Sequence, residues 1–259
     1  MVTGPAMEAI LEGRMALITG GGSGLESGIA LALASRGIAA AVLGRTLTQC
    51  EETAHDVQER GGAAIALGCD LSSAEEMTGA VTAVLDRWGR IGILVHCAQS
   101  VNYAALHKLT PQDVDESWCT GPRGAMSLMQ SAYQPLRQTR GLIVNIASGV
   151  GIAAPAGMAA YAMAKEAVCT LRWTTAAEWG PHGIRAVSLC PFAATPGLEF
   201  FETKFGLSCH SDLISEIPLR RLGIRRRTWG AVVAFLASEE GSYITGTTLM
   251  VDGGYTDLR

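Results

Sequence analysis

Met15-Ala16-Leu17-Ile18-Thr19 runs directly into Gly20-Gly21-Gly22-Ser23-Gly24-Leu25 and then into Ile29-Ala30-Leu31-Ala32-Leu33-Ala34. The first piece is short, mostly apolar and bounded by glycine, which is the pattern of a strand buried on both faces. The last piece is an apolar run that reads as a helix. Strand, glycine turn and helix together form a cradle for phosphate. Glycine lets the backbone approach a pyrophosphate closely, and a helix N-terminus offers unpaired N–H groups and a favourable dipole. Gly20, Gly22, Ser23, Gly24 and Leu25 are therefore the candidate contacts to a dinucleotide.

Outward from this unit the chain keeps alternating. Strand patterns fall at Ala39 to Leu43, Ala63 to Gly68, Ile91 to Val95, Gly141 to Ala147, Arg185 to Leu189 and Thr248 to Val251. Between them lie helical patterns from Thr46 to Arg60, from Ser73 to Trp88, near Pro111 to Arg137 and around Tyr161. Such alternation predicts an α/β fold, a single Rossmann-type doubly wound domain over residues 1–259 with a mostly parallel sheet and ligands at the carboxyl ends of the strands.

A second constellation carries acid-base chemistry. In Tyr161-Ala162-Met163-Ala164-Lys165 the tyrosine and lysine stand four apart, so a helix presents both on one face. A free tyrosine titrates near pH ~10, and a close ammonium favours its phenolate, so Lys165 is expected to bring the Tyr161 pKa toward the working range. Ser148, in Asn145-Ile146-Ala147-Ser148 at the end of a strand, can hydrogen-bond the same substrate oxygen that Tyr161 protonates. Ser148, Tyr161 and Lys165 are the candidate catalytic residues.

These motifs, in this order, resemble the short-chain dehydrogenase/reductase family over nearly the whole chain. The family's TGxxxGxG turn resembles Thr19 to Glu26, and its Asp after the third strand resembles Asp70, with Leu71 beside it. Its C-terminal signature is similar to Ile217-Pro218-Leu219-Arg220-Arg221-Leu222-Gly223, Phe235-Leu236-Ala237-Ser238 and Ile244-Thr245-Gly246 leading to Val251-Asp252-Gly253-Gly254. The resemblance implies a nicotinamide cofactor, held by Asp70, Leu71, Lys165 and Thr195 besides the turn. It also implies a homodimer or homotetramer, with interfaces near Val168 to Trp179 and at Val251 to Gly254, and a variable substrate lid at 192–216.

The chain departs from the family pattern at four places on the cofactor side. Glu26 replaces the third glycine of the turn, with Gly28 two residues later. The NNAG segment reads His96-Cys97-Ala98-Gln99. The tetrad asparagine aligns with Gly121, and the Pro-Gly after the sixth strand reads Pro191-Phe192-Ala193-Ala194-Thr195. A carboxylate at roughly 6 Å from a pyrophosphate costs about 3 kcal/mol at an effective dielectric of ~20. Glu26 has two compatible placements: out to solvent, where the cost vanishes, or back onto the helix's own first N–H groups, in the phosphate's place.

At the end of the second strand, Leu43-Gly44-Arg45-Thr46 lacks the carboxylate that would accept from a free ribose 2′-hydroxyl, and Arg45 can pair with a 2′-phosphate. NADP(H) is thus expected over NAD. Phe192, Leu198, Phe200, Phe201 and Phe205 fit either an apolar substrate pocket or the core of the lid. Trp118, Met126 and Met129 read as core.

Composition narrows the classes. The 259 residues are 48% hydrophobic with a net charge of -4, a pI near 5.8 and a mean hydropathy of +0.24. That gives a large core and no basic surface for nucleic acid; Arg225-Arg226-Arg227 reads as a solvated helix start. Seven cysteines without a C-x-x-C pair fit reduced thiols in a cytoplasm, with no metal site. No stretch has the length or hydropathy of a membrane span or a signal sequence. Two functions follow: an NADP-dependent reductase acting on a carbonyl or alcohol of an apolar small molecule, or a non-redox isomerisation, dehydration or cyclisation using the same tyrosine and serine, with no dinucleotide bound. A catalytically idle binding subunit is a third.

Overall fold

A computed structural model describes residues 14–20, 24–193 and 214–256. Its seven strands are β1 (Met15–Thr19), β2 (Ala39–Gly44), β3 (Ala64–Gly68), β4 (Ile93–His96), β5 (Leu142–Ile146), β6 (Arg185–Pro191) and β7 (Thr248–Val251). All pair in parallel, in the order β3-β2-β1-β4-β5-β6-β7. β1, β4 and β5 are buried along their whole length, which is why they read as continuous apolar runs. The strand order reverses between β1 and β4, the point beyond whose carboxyl ends folds of this kind bind ligands.

Helices cover both faces. One core joins Ile18, Val42, Val95, Val144 and Val187 to Ile29 and Leu33 of α1 (Leu25–Ala34), Val57 of α2 (Leu47–Glu59) and Val233 and Leu236 near the C-terminus. The other joins Leu17, Leu43, Leu94 and Ile143 to Met77, Val81 and Val84 of α3 (Ala74–Trp88) and to Leu128 and Leu136. Alternate residues of each strand feed opposite cores, as a two-residue period requires.

The stretch expected as one helix from Pro111 to Arg137 is divided. It forms α4 (Pro111–Trp118), a wide turn at Cys119–Arg123, α5 (Gly124–Ser131) and α6 (Tyr133–Thr139). Pro122 has no N–H to donate, and Gly121 takes non-helical angles (φ -83, ψ -106). Trp118 and Met126 are 45% and 40% exposed, against the expectation of core; Met129 is buried. Further helices include α7 (Gly149–Ala153), α8 (Ala159–Trp179) and α9 (Ala231–Ala237). A Cβ at Gly28 would meet the Arg225 backbone at 2.7 Å. Gly28 thus serves the close docking of α1 on the segment leading to α9. Among the described residues no helix is long and apolar enough to cross a membrane.

Candidate active site

The catalytic candidates converge from β5, α7 and α8. Ser148 follows β5 and caps α7, its Oγ accepting from the Val150 N–H at 3.2 Å. Tyr161 and Lys165 lie one turn apart on α8. The Ser148 hydroxyl is near enough to the Tyr161 hydroxyl to favour its ionised form. Lys165 Nζ donates to the Ile146 carbonyl at 2.6 Å and stands 5.5 Å from the Tyr161 ring centroid.

Electrostatics here differ from the expectation. Burial pushes Tyr161 up to about 12, against the opposing pull of the Ser148 hydrogen bond. Burial also holds Lys165 below its ordinary value. The ammonium is committed to the Ile146 carbonyl and sits over the ring face, so loss of water outweighs any help it gives the phenolate. Tyr161 in this state is a proton donor.

Beneath these residues runs a polar row. Thr19, His96, Asn145 and Ser188 are register neighbours across β1, β4, β5 and β6, and all are buried. Thr19 Oγ1 accepts from the N–H groups of Cys97 (3.1 Å) and Ala98 (3.4 Å). Its own hydrogen is left for His96 Nδ1 at 3.4 Å, which places the imidazole proton on Nε2. His96 is pushed down to about 3, mainly by burial and then by the Lys165 charge. Among the described residues, His96 Nε2, both amide atoms of Asn145 and of Gln99, and Ser188 Oγ meet no hydrogen-bond partner. Buried groups left this way are rare in a finished core and mark a polar site.

At the glycine turn Glu26 takes the second of its two placements. It is 4% exposed, its Oε1 accepts from the Gly24 N–H at 2.5 Å, and its Oε2 accepts from the Cys97 thiol at 3.5 Å. A Cβ on Gly20 would lie 3.0 Å from Glu26 Cδ, and one on Gly24 would lie 2.8 Å from Oε2. The space that two glycines leave open is filled by a carboxylate. Gly20 keeps the positive φ (141°) that suits glycine, while Leu25 is buried in the core beneath. Gly22, Ser23 and Thr195 lie outside the described residues, as does most of the 192–216 segment.

At the adenosine end, Arg45 is exposed just past β2; Glu116 is held below its ordinary value by hydrogen bonds from Asn102 and Gln112, with a smaller pull from the Arg45 charge, which also reaches Asp70. Asp70 Oδ1 accepts from Ser72 N–H at 2.8 Å, which contributes most to its low pKa. Leu71 is buried in the core. A nicotinamide dinucleotide therefore fits at its two ends, with Arg45 and Asp70 for the adenosine side and Tyr161 and Lys165 for the nicotinamide side. In the middle it does not fit while Glu26 stays folded in.

Several site residues escape a reading of the sequence. Tyr103, from the loop after β4, is held above its ordinary value by burial and then by the charge of Tyr161, which places it in the same region. A Cβ on Gly149, next to Ser148, would lie 2.7 Å from Thr256 Oγ1, so the C-terminal tail walls the site. Asp252 aims that tail by accepting from the N–H groups of Gly254 (3.0 Å) and Thr256 (2.8 Å). Phe192 stacks on Tyr255 with centroids 4.4 Å apart. The Arg225 guanidinium reaches the Gly24 carbonyl at 3.3 Å, placing one of the three consecutive arginines at the turn. Gln99 fills the space beside Gly121, where a Cβ would lie 3.0 Å from its Oε1. Gln99, Gly121, Phe192, Arg225 and Asp252 stood in segments the sequence marks, but their meeting here did not show; Tyr103, Gly149, Tyr255 and Thr256 left no local signal.

Comparison with known proteins shows the family and the fold. The family model described as enoyl-(acyl carrier protein) reductase matches residues 20–256. The chain is 33% identical over 251 residues to the short-chain reductase protein NovJ of Streptomyces niveus, covering 95% of each. It is 30% identical to a 12alpha-hydroxysteroid dehydrogenase of a Clostridium species, covering 95% of this chain and 97% of that one. The crystal structure of levodione reductase superposes with a TM-score of 0.90 at 28% identity, covering 95% and 98%. The chain belongs to the short-chain dehydrogenase/reductase family and is an oxidoreductase of that type.

Proposed function

We propose that the chain is an NADP(H)-dependent reductase acting on a carbonyl or alcohol of an apolar small molecule. The observation that carries this reading is the convergence of Ser148, Tyr161 and Lys165 on one another at the sheet's carboxyl edge. The dinucleotide, when bound, supplies or accepts hydride. The chain's own residues handle the proton and the substrate oxygen. Val150 N–H occupies a Ser148 lone pair, and the Ser148 hydrogen, turned toward the Tyr161 oxygen in this state, swings to donate to a carbonyl oxygen. Tyr161, held in its acid form, gives that oxygen a proton as charge builds on it. Lys165 locks the first turns of α8 to the end of β5 and so fixes where the tyrosine hydroxyl points.

Arg45 supports NADP(H), because no carboxylate closes β2 to read a free 2′-hydroxyl. An apolar substrate is supported by the Phe192–Tyr255 stack and by a relative whose name specifies a hydroxysteroid. Exposed Trp118, Met126, Met163 and Trp173 on α4, α5 and α8 support a homodimer or homotetramer, which we place in the cytoplasm. The test is NADPH oxidation by purified protein against a panel of apolar ketones, with NADH in parallel. Turnover that prefers NADPH and is lost in Tyr161→Phe is expected. Tyr161-dependent turnover of a metabolite without any dinucleotide would overturn the reading in favour of a non-redox reaction.

A further inference from the structure

We infer that Glu26 is an internal competitor for the dinucleotide: its carboxylate holds the pyrophosphate position, and cofactor binds only as that side chain is expelled. The inference rests on the NADP(H) reading above and adds the residue that sets the affinity. A carboxylate and a phosphate ask for the same things, namely backbone N–H donors, a concave backbone without Cβ atoms, and the positive end of a helix. Glu26 has all three. It takes the Gly24 N–H at 2.5 Å, it lies against the bare faces of Gly20 and Gly24, and it sits in the first turn of α1.

It is also held there from the neighbouring strand, by the Cys97 thiol just past β4, at 3.5 Å. The carboxylate therefore bridges the carboxyl ends of β1 and β4, the two strands between which the sheet order reverses. Phosphate oxygens and carboxylate cannot share that volume, since a methyl-sized group already comes within 3.0 Å of Glu26 at either glycine. Binding must break the Gly24 and Cys97 contacts and turn a buried anion outward past an incoming one. Both effects lower affinity for any ligand with a pyrophosphate. Neither touches a ligand that ends at the adenosine phosphates near Arg45.

The experiment is calorimetric titration of the full chain, as wild type, Glu26→Gly and Glu26→Gln, with NADPH and with adenosine 2′-phosphate, which carries the 2′-phosphate but no pyrophosphate. Thermal unfolding of each protein reports its folding, and Glu26→Gln covers the case in which the glycine variant is unstable. NADPH affinity is expected to rise between about tenfold and a hundredfold in Glu26→Gly and by at least about threefold in Glu26→Gln, while adenosine 2′-phosphate stays within about twofold. NADPH affinity unchanged in both variants, with wild type binding adenosine 2′-phosphate, overturns the competitor and leaves the NADP(H) reading standing. An equal gain for both ligands also overturns it, because the substitution would then have loosened the cleft as a whole. Binding of neither ligand to any of the three proteins overturns both.

Discussion

The two halves of the cleft are built from different materials. On the right of the strand reversal, Ser148, Tyr161 and Lys165 are side chains that reach toward one another from β5, α7 and α8, and each has an internal partner. On the left, the glycine turn offers backbone and open space, and its anion must come from elsewhere. In this chain it comes from two residues along, as Glu26. A side-chain site persists as long as its residues do, whereas a backbone site can be lost to a single neighbouring side chain with every glycine still in place.

The sharpest way to test that contrast is at its side-chain end. Tyr161→Phe removes one hydroxyl, and turnover should fall at least ~100-fold while the melting temperature moves little. Lys165→Met should be comparably severe, and it should also lower stability, because the Ile146 carbonyl loses its donor. Steady-state kinetics beside thermal unfolding reads both. Full activity in Tyr161→Phe would remove the right half from the chemistry.

A second effect sits between the halves. His96 titrates near 3 in the fold and near ~6.5 in an unfolded chain, so the unfolded state takes up a proton that the fold refuses. Its contribution is complete above pH ~6.5 and is lost as pH falls toward 3, at up to ~1.4 kcal/mol per pH unit. Urea unfolding from pH 7 to 5 should show this loss, and His96→Gln should flatten it. An unchanged slope in the variant would show that His96 is solvated rather than sealed under Lys165.

In the protein without dinucleotide, the phenolate absorbance that Tyr161→Phe removes should appear only near pH 12. A midpoint at or below the ordinary ~10 would mean that Lys165 governs the tyrosine after all. The smallest effect belongs to the adenosine end. Arg45→Ala should weaken NADPH by about tenfold and leave NADH within about twofold, as expected for one exposed charge-assisted pair. Equal losses for both would remove the 2′-phosphate from the reading.

The sheet was legible because parallel strands buried on both faces must be apolar runs, and β1, β2 and β5 carry no competing pattern. That Ser148, Tyr161 and Lys165 lie near one another was legible because Tyr161 and Lys165 are tied by helix geometry and Ser148 by a strand end. The break at Gly121 and Pro122 was weakly signalled, since a proline is tolerated in a helix where neighbours resupply the lost bond. The exposure of Trp118 and Met126 was hidden, because an apolar helical stripe looks the same whether it meets a core or a second chain. The Tyr161 pKa was misjudged for a physical reason: spacing gives proximity to a cation, but not how much water is lost with it. The arrival of Arg225, Tyr255 and Thr256 at the cleft depends on contacts spanning most of the chain, which no local window contains.

The docking of α1 on the stretch before α9 sets an order of events in biosynthesis. Gly28 meets the Arg225 backbone, the Arg225 guanidinium meets Gly24 across 201 residues, and Trp229 is sealed beneath with its Nε1 on Val251. The β1–turn–α1 unit leaves the ribosome well before its outer wall, whose Arg225 follows Gly24 by 201 residues. Until then the turn and the apolar flank of α1 stand uncovered, and such non-local closure is slow. The turn and α1 are thus open to aggregation and to holding chaperones until that distant wall is made and docks on them.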